Sequence, residues 1–426
     1  MAGRGAGHRT PGTSRPRRKS RYPGAVIELD LTGVAHGGEA VGRLEGKACF
    51  VDGAMPGEKV RGEIVKDGGA WARVELREVV MASPQRVEPP CPLFGTCGGC
   101  QWQFADYPAQ LEWKRQIVAG QLAHLGRVED PTVRDAVAVG APFRYRNRVD
   151  FQVAEGRPAF SRRRSHALQP VDDCLLLHPA LANLVSRLGD LGAAAALTLR
   201  VATAPGDLLA VVDGPVPSPA AGWKCGVVQK RRGRLVPVVG PGHLIETVAG
   251  VALRITGDAF FQNNTAGAEA LVRLVEEALS PQPGETLLDA YAGGGLFGLT
   301  VGRATAGVVA VESDPIAVDD LRHNAAAAPM PVRVVEGAVE AALPYLEARW
   351  DLAVADPPRT GLGEAGVGAI VAGRPRTIAY VSCDPASLAR DTRTLAAAGY
   401  HPDWAAPVDL FPQTFHIETV AAFTSR

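Results

Sequence analysis

Three textures of hydrophobic patterning follow one another along the chain. Between residues 22 and 80, β-rich runs (AVIELDLT, ACFVDG, EKVRGEIVK) are separated by HGG, EGK and PGE turns. Short runs with that punctuation predict strands, and their spacing predicts a small barrel. Residues 81–102 read as loop, and DYPAQLEWKRQIVAGQLAHLG over 106–126 predicts one amphipathic helix. Residues 140–250 mix β-rich runs with Gly and Pro turns, an α+β pattern whose strand order the periodicity does not reveal. From 251 the texture changes again. NTAGAEALVRLVEEAL puts Leu271, Leu274, Val275, Ala278 and Leu279 on one helical face. After it, the apolar runs TLLDAYA, GVVAVES, VRVVEG, DLAVADPP and TIAYVSC alternate with helical stretches. Apolar strands of four to seven residues between helices predict a parallel sheet covered on both faces.

Length and composition divide this pattern without changing it. The chain has 426 residues, 46% hydrophobic, with a net charge of zero, enough for about three domains. The expected division is a disordered basic tail over 1–21, a small β-barrel over 22–80, a central α+β domain over 81–250 and an α/β Rossmann-like domain over 251–426. The tail carries Arg4, Arg9, Arg15, Arg17, Arg18, Lys19 and Arg21 and no acid, and lacks the apolar core of a signal peptide. No apolar run is long enough to span a membrane. Seven cysteines without a secretion signal point to a reducing, cytoplasmic compartment, where thiols bind metals or do chemistry.

The first C-terminal strand runs into DAYAGGGLFGL, residues 289–299. Glycines after a strand let the backbone turn and approach a ligand closely. Gly293, Gly295 and Gly298 match a dinucleotide spacing, but Asp289 would crowd a pyrophosphate. Glu312 closes the next strand, where a carboxylate can accept ribose hydroxyls. Asp356 ends the fourth, followed by two stiffening prolines. Acids at three strand ends suit S-adenosylmethionine, which carries a sulfonium and an ammonium.

The apolar run AYVS ends in Cys383, so this thiol should share a crevice with Asp356. In FPQTFHIETV, residues 411–420, His416 and Glu418 alternate with apolar residues and are expected on one face of a last strand. Thiol, carboxylate and methyl donor together suit methylation of carbon 5 of uracil. The thiolate adds to carbon 6, the enolate attacks the methyl group, and a base then removes the carbon-5 proton. A free thiol ionises near pH 8.5, so local activation of Cys383 is expected.

DPPRTGL, YVSCDPASLARD, FPQTFHIETV and FFQNN over 260–264 resemble the RNA uracil carbon-5 methyltransferase family, which makes 5-methyluridine in tRNA or ribosomal RNA. AHGGEAVGRLEGKACFVDGAMPGEKVRGEI resembles a TRAM domain, a small RNA-binding barrel. Together these resemblances cover nearly the whole chain after the tail. They imply Cys383 as nucleophile, Glu418 as general base, and cofactor contacts at Gln262, Tyr291, Glu312 and Asp356. They also imply an RNA partner. Leu296 stands where the family often has Asn, and Asp384 replaces the commoner Asn after the nucleophile.

CPLFGTCGGC gives Cys91-x5-Cys97-x2-Cys100, with Cys174 as the candidate fourth ligand. Four thiols can hold zinc or an iron–sulfur cluster, and spacing alone does not decide. The resemblance implies a 4Fe–4S cluster in a structural or RNA-positioning role. Cys49 and Cys225 read as ordinary core or surface residues. RNA contacts are expected from Arg144, Arg146, Arg148 and Arg162–Arg164 with the barrel, and the protein is expected to be a monomer. Two other readings stand beside this one: methylation of a nucleic-acid amino group, and a non-catalytic iron–sulfur RNA-binding protein. The first needs no thiol, and here Arg359 follows the prolines where such enzymes usually carry an aromatic. The second leaves Cys383 and Glu418 without a purpose.

Overall fold

The computed structural model describes residues 24–346 and 348–425; the basic tail over 1–21 lies outside them. The chain forms two compact units, one of residues 24–35 and 39–84, the other of residues 36–38 and 85–425.

In the first unit β1 (Val26–Val34), β2 (Ala40–Leu44), β3 (Lys47–Val51), β4 (Lys59–Asp67) and β5 (Trp71–Met81) close into a barrel in the order β1-β2-β3-β5-β4. Side chains alternate across each strand, so Leu29, Leu31, Val51, Val60, Ile64 and Val74 meet inside. Cys49 is buried among them as a small hydrophobe. Charged partners of the same alternation face outward, as where Arg61 pairs with Glu28 at 2.8 Å and Glu78 at 2.7 Å. Glu58 of the PGE turn is buried and accepts from the Met55 amide at 3.0 Å, which holds the turn. β2 and β5 fall outside the three apolar runs because their inward residues are small or separated by charges.

The second unit opens with α1 (Tyr107–His124), capped by Asp106, which accepts from the Ala109 amide at 2.9 Å. Then follow β6 (Val137–Ala138), β7 (Arg148–Ala154), β8 (Arg157–Ser161), β9 (Leu168–Pro170), α2 (Pro179–Val185), β10 (Ala196–Val201), β11 (Leu208–Asp213), β12 (Gly226–Arg231) and β13 (Arg234–Val239). Seven of these strands make a central sheet, β13-β12-β11-β10-β7-β8-β9. Its core gathers Phe151, Leu181, Leu184, Leu199 and Trp223, with Cys225 packed partly buried against it. A hairpin, β14 (His243–Val248) and β15 (Val251–Thr256), leads into α3 (Thr265–Leu279), whose Asn264 side chain caps it through the Gly267 amide.

The C-terminal part alternates as the apolar runs predict: β16 (Thr286–Ala290), α4 (Leu296–Thr300), β17 (Gly307–Glu312), α5 (Pro315–Ala325), β18 (Val332–Glu336), α6 (Val339–Ala342), β19 (Leu352–Ala355), α7 (Gly363–Val371), β20 (Thr377–Ser382), α8 (Pro385–Ala397), β21 (Tyr400–Asp409) and β22 (Glu418–Ser425). The sheet order is β18-β17-β16-β19-β20-β22-β21-β6. The five strands from β18 to β20 are parallel, and β22 returns antiparallel beside β20. β19 and β20 are buried at every residue, the mark of a strand covered on both faces. α3 packs against β20 and β22, while α8 packs against β20, β21 and α1. The order reverses at β16, between β17 and β19, so the crevice at the carboxyl ends is where an α/β sheet takes its ligand.

The last strand begins later than its alternation suggests. Residues 411–417 form a loop, and β22 starts at Glu418. Pro412 lacks an amide donor and Gln413 has a left-handed backbone with φ of 71°, so neither can continue a ladder. His416 is therefore off the strand that carries Glu418.

Candidate active site

Gln262, Tyr291, Glu312, Asp356, Cys383 and Glu418 all line one cleft of about 900 Å³ at the carboxyl ends of the parallel strands. The glycine-rich turn after β16 forms its floor. Gly295 has φ of 96°, and a Cβ there would meet the Leu299 and Leu321 side chains within 3 Å. Tyr291 also takes a left-handed conformation, with φ of 62°, a strain tolerated where function fixes the backbone. Its hydroxyl donates to Glu340 Oε1 at 2.5 Å. Leu296, at the position where a polar residue is common in the resembling family, gives the cleft an apolar contact.

The acids divide into two groups. Glu312 Oε2 accepts from the Gly293 amide at 2.8 Å, and Oε1 accepts from Ser313 and Asp314 at 2.7 Å each. The strand end, glycine turn and next helix entrance are thereby tied to one carboxylate, which still lines the cleft. Asp356 also lines the cleft, with the Gln262 amide donating to Oδ2 at 3.4 Å. Burial pushes the Asp356 carboxyl up to about 7. Asp289 does not belong to the cleft wall. It is fully buried beneath the turn, where Oδ2 accepts from the Gly298 amide at 2.7 Å. A Cβ at position 298 would lie 2.7 Å from that oxygen, so glycine is required for the clamp. Burial pushes Asp289 up to about 7, with Asp356 and Glu312 adding to the rise. The expected acid at the first strand end thus braces the turn from below.

Cys383 and Glu418 meet through strand register. Ser382 at the end of β20 lies opposite Thr419 of β22. The next residue on one strand is Cys383 and the preceding residue on the other is Glu418, so the antiparallel return brings thiol and carboxylate together. Glu418 is buried, and desolvation with the Asp356 charge pushes its carboxyl well above the usual range. Burial, Glu418 and Asp356 push the Cys383 thiol up to about 12. The protein groups around Cys383 therefore do not by themselves supply the expected activation. Arg359, also in the cleft, opposes the rise at both groups. His416 is pushed down to about 4 by burial and by Arg359, Lys114 and Arg146, so it is neutral at pH 7.

α1 supplies a second layer that its pattern does not reveal. Its buried face carries Gln110 and Lys114, both fully enclosed. Lys114 Nζ donates to Asp409 at 2.5 Å, to the His416 carbonyl at 2.8 Å and to the Phe411 carbonyl at 3.3 Å. Gln110 accepts from the Gln413 amide at 3.0 Å and donates to its side-chain oxygen at 3.1 Å. The same Gln110 amide donates to the carbonyls of Trp102 and Ala105 at 3.2 and 2.9 Å. The amides of Gln101 and Trp102 both donate to the Gln413 carbonyl at 3.0 Å. The loop leading to Glu418 is therefore held by the segment that follows Cys100. No motif marks Gln110 or Lys114 as part of the site, and Arg359 lies in DPPRTGL without a role assigned from the sequence. The signal available in the sequence was a charged and an amide residue one turn apart on an otherwise apolar helix face.

Cys91, Cys97, Cys100 and Cys174 line a separate cavity of about 220 Å³ with Phe94, Phe160 and Leu175–Leu177. All four are free thiols. Burial raises Cys97, Cys174 and Cys100, the last to about 12. Among the described residues no three His, Cys, Asp or Glu side chains converge closely enough to hold a metal ion. Arg146 lines both this cavity and the cleft. Of the other arginines expected to meet RNA, Arg144 is paired with Asp173 at 3.1 Å, and Arg148 with Asp150 at 2.9 Å.

Among the described residues no helix is long and apolar enough to cross a membrane. The TRAM domain family matches residues 20–70, over most of the barrel. An uncharacterized RNA methyltransferase of Gloeobacter violaceus is 36% identical, over 93% of this chain and 96% of its own. One from Streptomyces avermitilis is 34% identical, over 93% and 98%. Among solved structures, the Pyrococcus abyssi tRNA (uracil-54, C5)-methyltransferase in complex with S-adenosyl-L-homocysteine superposes with a TM-score of 0.75 at 24% identity, covering 93% of this chain and all of that one. Identity at that level over nearly the full length of both curated chains, together with the barrel and the carboxyl-end cleft, makes this chain an enzyme of the RNA methyltransferase family.

Proposed function

We propose that this enzyme transfers a methyl group from S-adenosylmethionine to carbon 5 of a uridine in tRNA or ribosomal RNA. The observation that carries the reading is the facing of Cys383 and Glu418 across the β20–β22 register, inside the cleft that Gln262, Tyr291, Glu312 and Asp356 line. An amino-group methyltransferase has no use for a half-buried thiol against a buried carboxylate.

The cleft residues fit the donor. The Glu312 carboxylate can accept ribose hydroxyls, and the Gln262 amide and Asp356 carboxyl line the same cleft as polar contacts. When bound, the sulfonium supplies an electrophilic methyl group. The chain supplies the rest. The Cys383 proton passes to Asp356, whose raised carboxyl favours that transfer and which leaves Glu418 free for the later step. The sulfur adds to carbon 6 of uracil and pushes electrons onto the carbon 4 oxygen. Arg359 offers a cation to the sulfur as charge forms and leaves. Carbon 5 takes the methyl group, Glu418 removes the remaining carbon-5 proton, and the carbon 6–sulfur bond breaks to release the base. A raised carboxyl is a stronger base for this last step.

We assign the four cavity cysteines to the 4Fe–4S cluster that the resemblance implies, because all four line one cavity. A multi-atom cluster needs thiolates spread around a cavity, which these are. Methyl transfer consumes no electrons, so the cluster's role is to brace the segment that holds the Glu418 loop.

RNA made with 5-fluorouridine tests the reaction. Fluorine at carbon 5 cannot leave as a proton, so a denaturation-resistant adduct accumulates with S-adenosylmethionine and is lost in Cys383→Ala. Methylated 5-fluorouridine released without an adduct would sink the mechanism.

A further inference from the structure

We propose that the β12–β13 hairpin binds the phosphate backbone of the RNA beside the mouth of the cleft. The inference rests on the reading of the chain as an enzyme acting on RNA, and it extends that reading to a surface no motif marks. The hairpin reads KRRGR over residues 230–234. Arg231 and Arg234 are its last paired residues. Arg232 and Gly233 turn the chain with φ of 51° and 76°. Two left-handed residues make the tight turn whose twist matches its strands, so the tip is a fixed projection.

The charges on it divide sharply. Lys230 donates to Asp258 at 2.6 Å, and Asp258 lines the cleft. The base of the hairpin is therefore fastened to the cleft wall. Arg231, Arg232 and Arg234 are exposed and have no ion pair among the described residues. At a strand's rise, Arg232 lies about 7 Å beyond Lys230. Three uncompensated guanidinium groups at one tip, on a chain of zero net charge, make a local field that the whole molecule does not supply. Guanidinium matches phosphate oxygens two at a time. By contrast Arg144 and Arg148, in the more conspicuous basic stretch, are neutralised by Asp173 and Asp150. A target uridine must leave its stack to reach Cys383, and contacts to the flanking backbone hold the strand while it does.

The test compares wild type with the triple variant Arg231→Ala, Arg232→Ala, Arg234→Ala, and with the same three changed to Lys. The probes are unmodified tRNA and ribosomal RNA transcripts, with Kd measured across a salt series. Each lost phosphate contact flattens the plot of log K against log salt by about 0.7–0.9. The alanine variant is expected to lose about 2–3 in slope, to bind at least about tenfold more weakly at low salt, and to raise KM for RNA while kcat holds. The lysine variant keeps the slope, which separates charge from folding. A slope and KM unchanged by the alanine changes would overturn the proposal and leave the exposed Val236, Val238 and Val239 of β13 to a protein partner. Wild-type protein that binds RNA with the expected slope but methylates no uridine would refute the reaction and leave the hairpin assignment standing.

Discussion

Cys383 sits where a thiol is hard to ionise, and the group that makes it so is its own partner in the chemistry. After burial, Glu418 is the largest cause of the rise to about 12. Glu418→Gln removes that charge and should have opposite effects on two measurements. Alkylation of Cys383, read by peptide mass spectrometry at pH 8–9, should speed up, by about tenfold for each pK unit the thiol falls. Turnover should slow by about 10²–10⁴-fold because proton removal is lost, with a covalent adduct accumulating on ordinary uridine RNA. Slower alkylation in this variant would contradict the arrangement of the pair. Asp289 gives a pH prediction of definite sign. Its folded pKa, about 7, lies above the ordinary 3.8, so the unfolded chain gives up this proton more readily. Stability from this group is present in acid and lost as pH rises from about 4 through 7. Asp289→Asn keeps an acceptor for the Gly298 amide and removes the titration. Its melting temperature should therefore fall less than wild type's between pH 5 and 8, measured by thermal unfolding at each pH.

At the scale of elements, the strongest single prediction concerns α1. Lys114 and Asp409 are both fully buried and 2.5 Å apart, and breaking such a pair from one side costs about 3–5 kcal/mol. Lys114→Met should lower stability by that amount in denaturant unfolding. Adding Asp409→Leu should recover most of it, since no charge is then left alone. A double variant as unstable as the single would show that Lys114 acts through the Phe411 and His416 carbonyls rather than through the ion pair. α1 also marks the limit of what patterning reveals. Its place was legible from the apolar spacing, as were the parallel strands from runs such as TLLDA and TIAYVS, while its Asp106 cap was seen only in the structure. The cleft was legible because strand ends in an α/β sheet converge, which brought Glu312, Asp356 and Cys383 together. What was hidden depends on partners distant in sequence: Gln110 with Gln413, Lys114 with Asp409, Asp289 turned under Gly298. Periodicity reports which face is buried, and it is silent on which polar groups are satisfied there. The alternation of His416 and Glu418 placed both on the cleft, but it extended the strand too far, because the loop is held by contacts from α1 rather than by a ladder.

At the scale of the molecule, the barrel has its own buried core, while the cysteine cavity draws on segments of the second unit around Cys91–Gln103, Arg146, Phe160 and Val171–Leu177. Four thiolates on one cluster would cross-link those segments as a covalent bridge does, and closing loops of this size is worth about 3–5 kcal/mol. Burial pushes the Cys100 thiol up to about 12, so thiolate binding of a cluster there would release a proton and strengthen with pH. Protein purified without oxygen should carry iron, sulfide and visible absorption, all lost in Cys174→Ser. In scanning calorimetry, removing the iron should lower the transition of the larger unit and leave the barrel's transition in place. The Glu418 loop hangs from Gln101, Trp102 and Gln110, so iron-free protein should also lose methylation by its proton-removal step. The 5-fluorouridine adduct, which needs no proton removal, should survive better than turnover does. Iron-free protein with unchanged calorimetry and unchanged turnover would show that the cavity braces nothing, and that the cysteines serve some purpose apart from the active site.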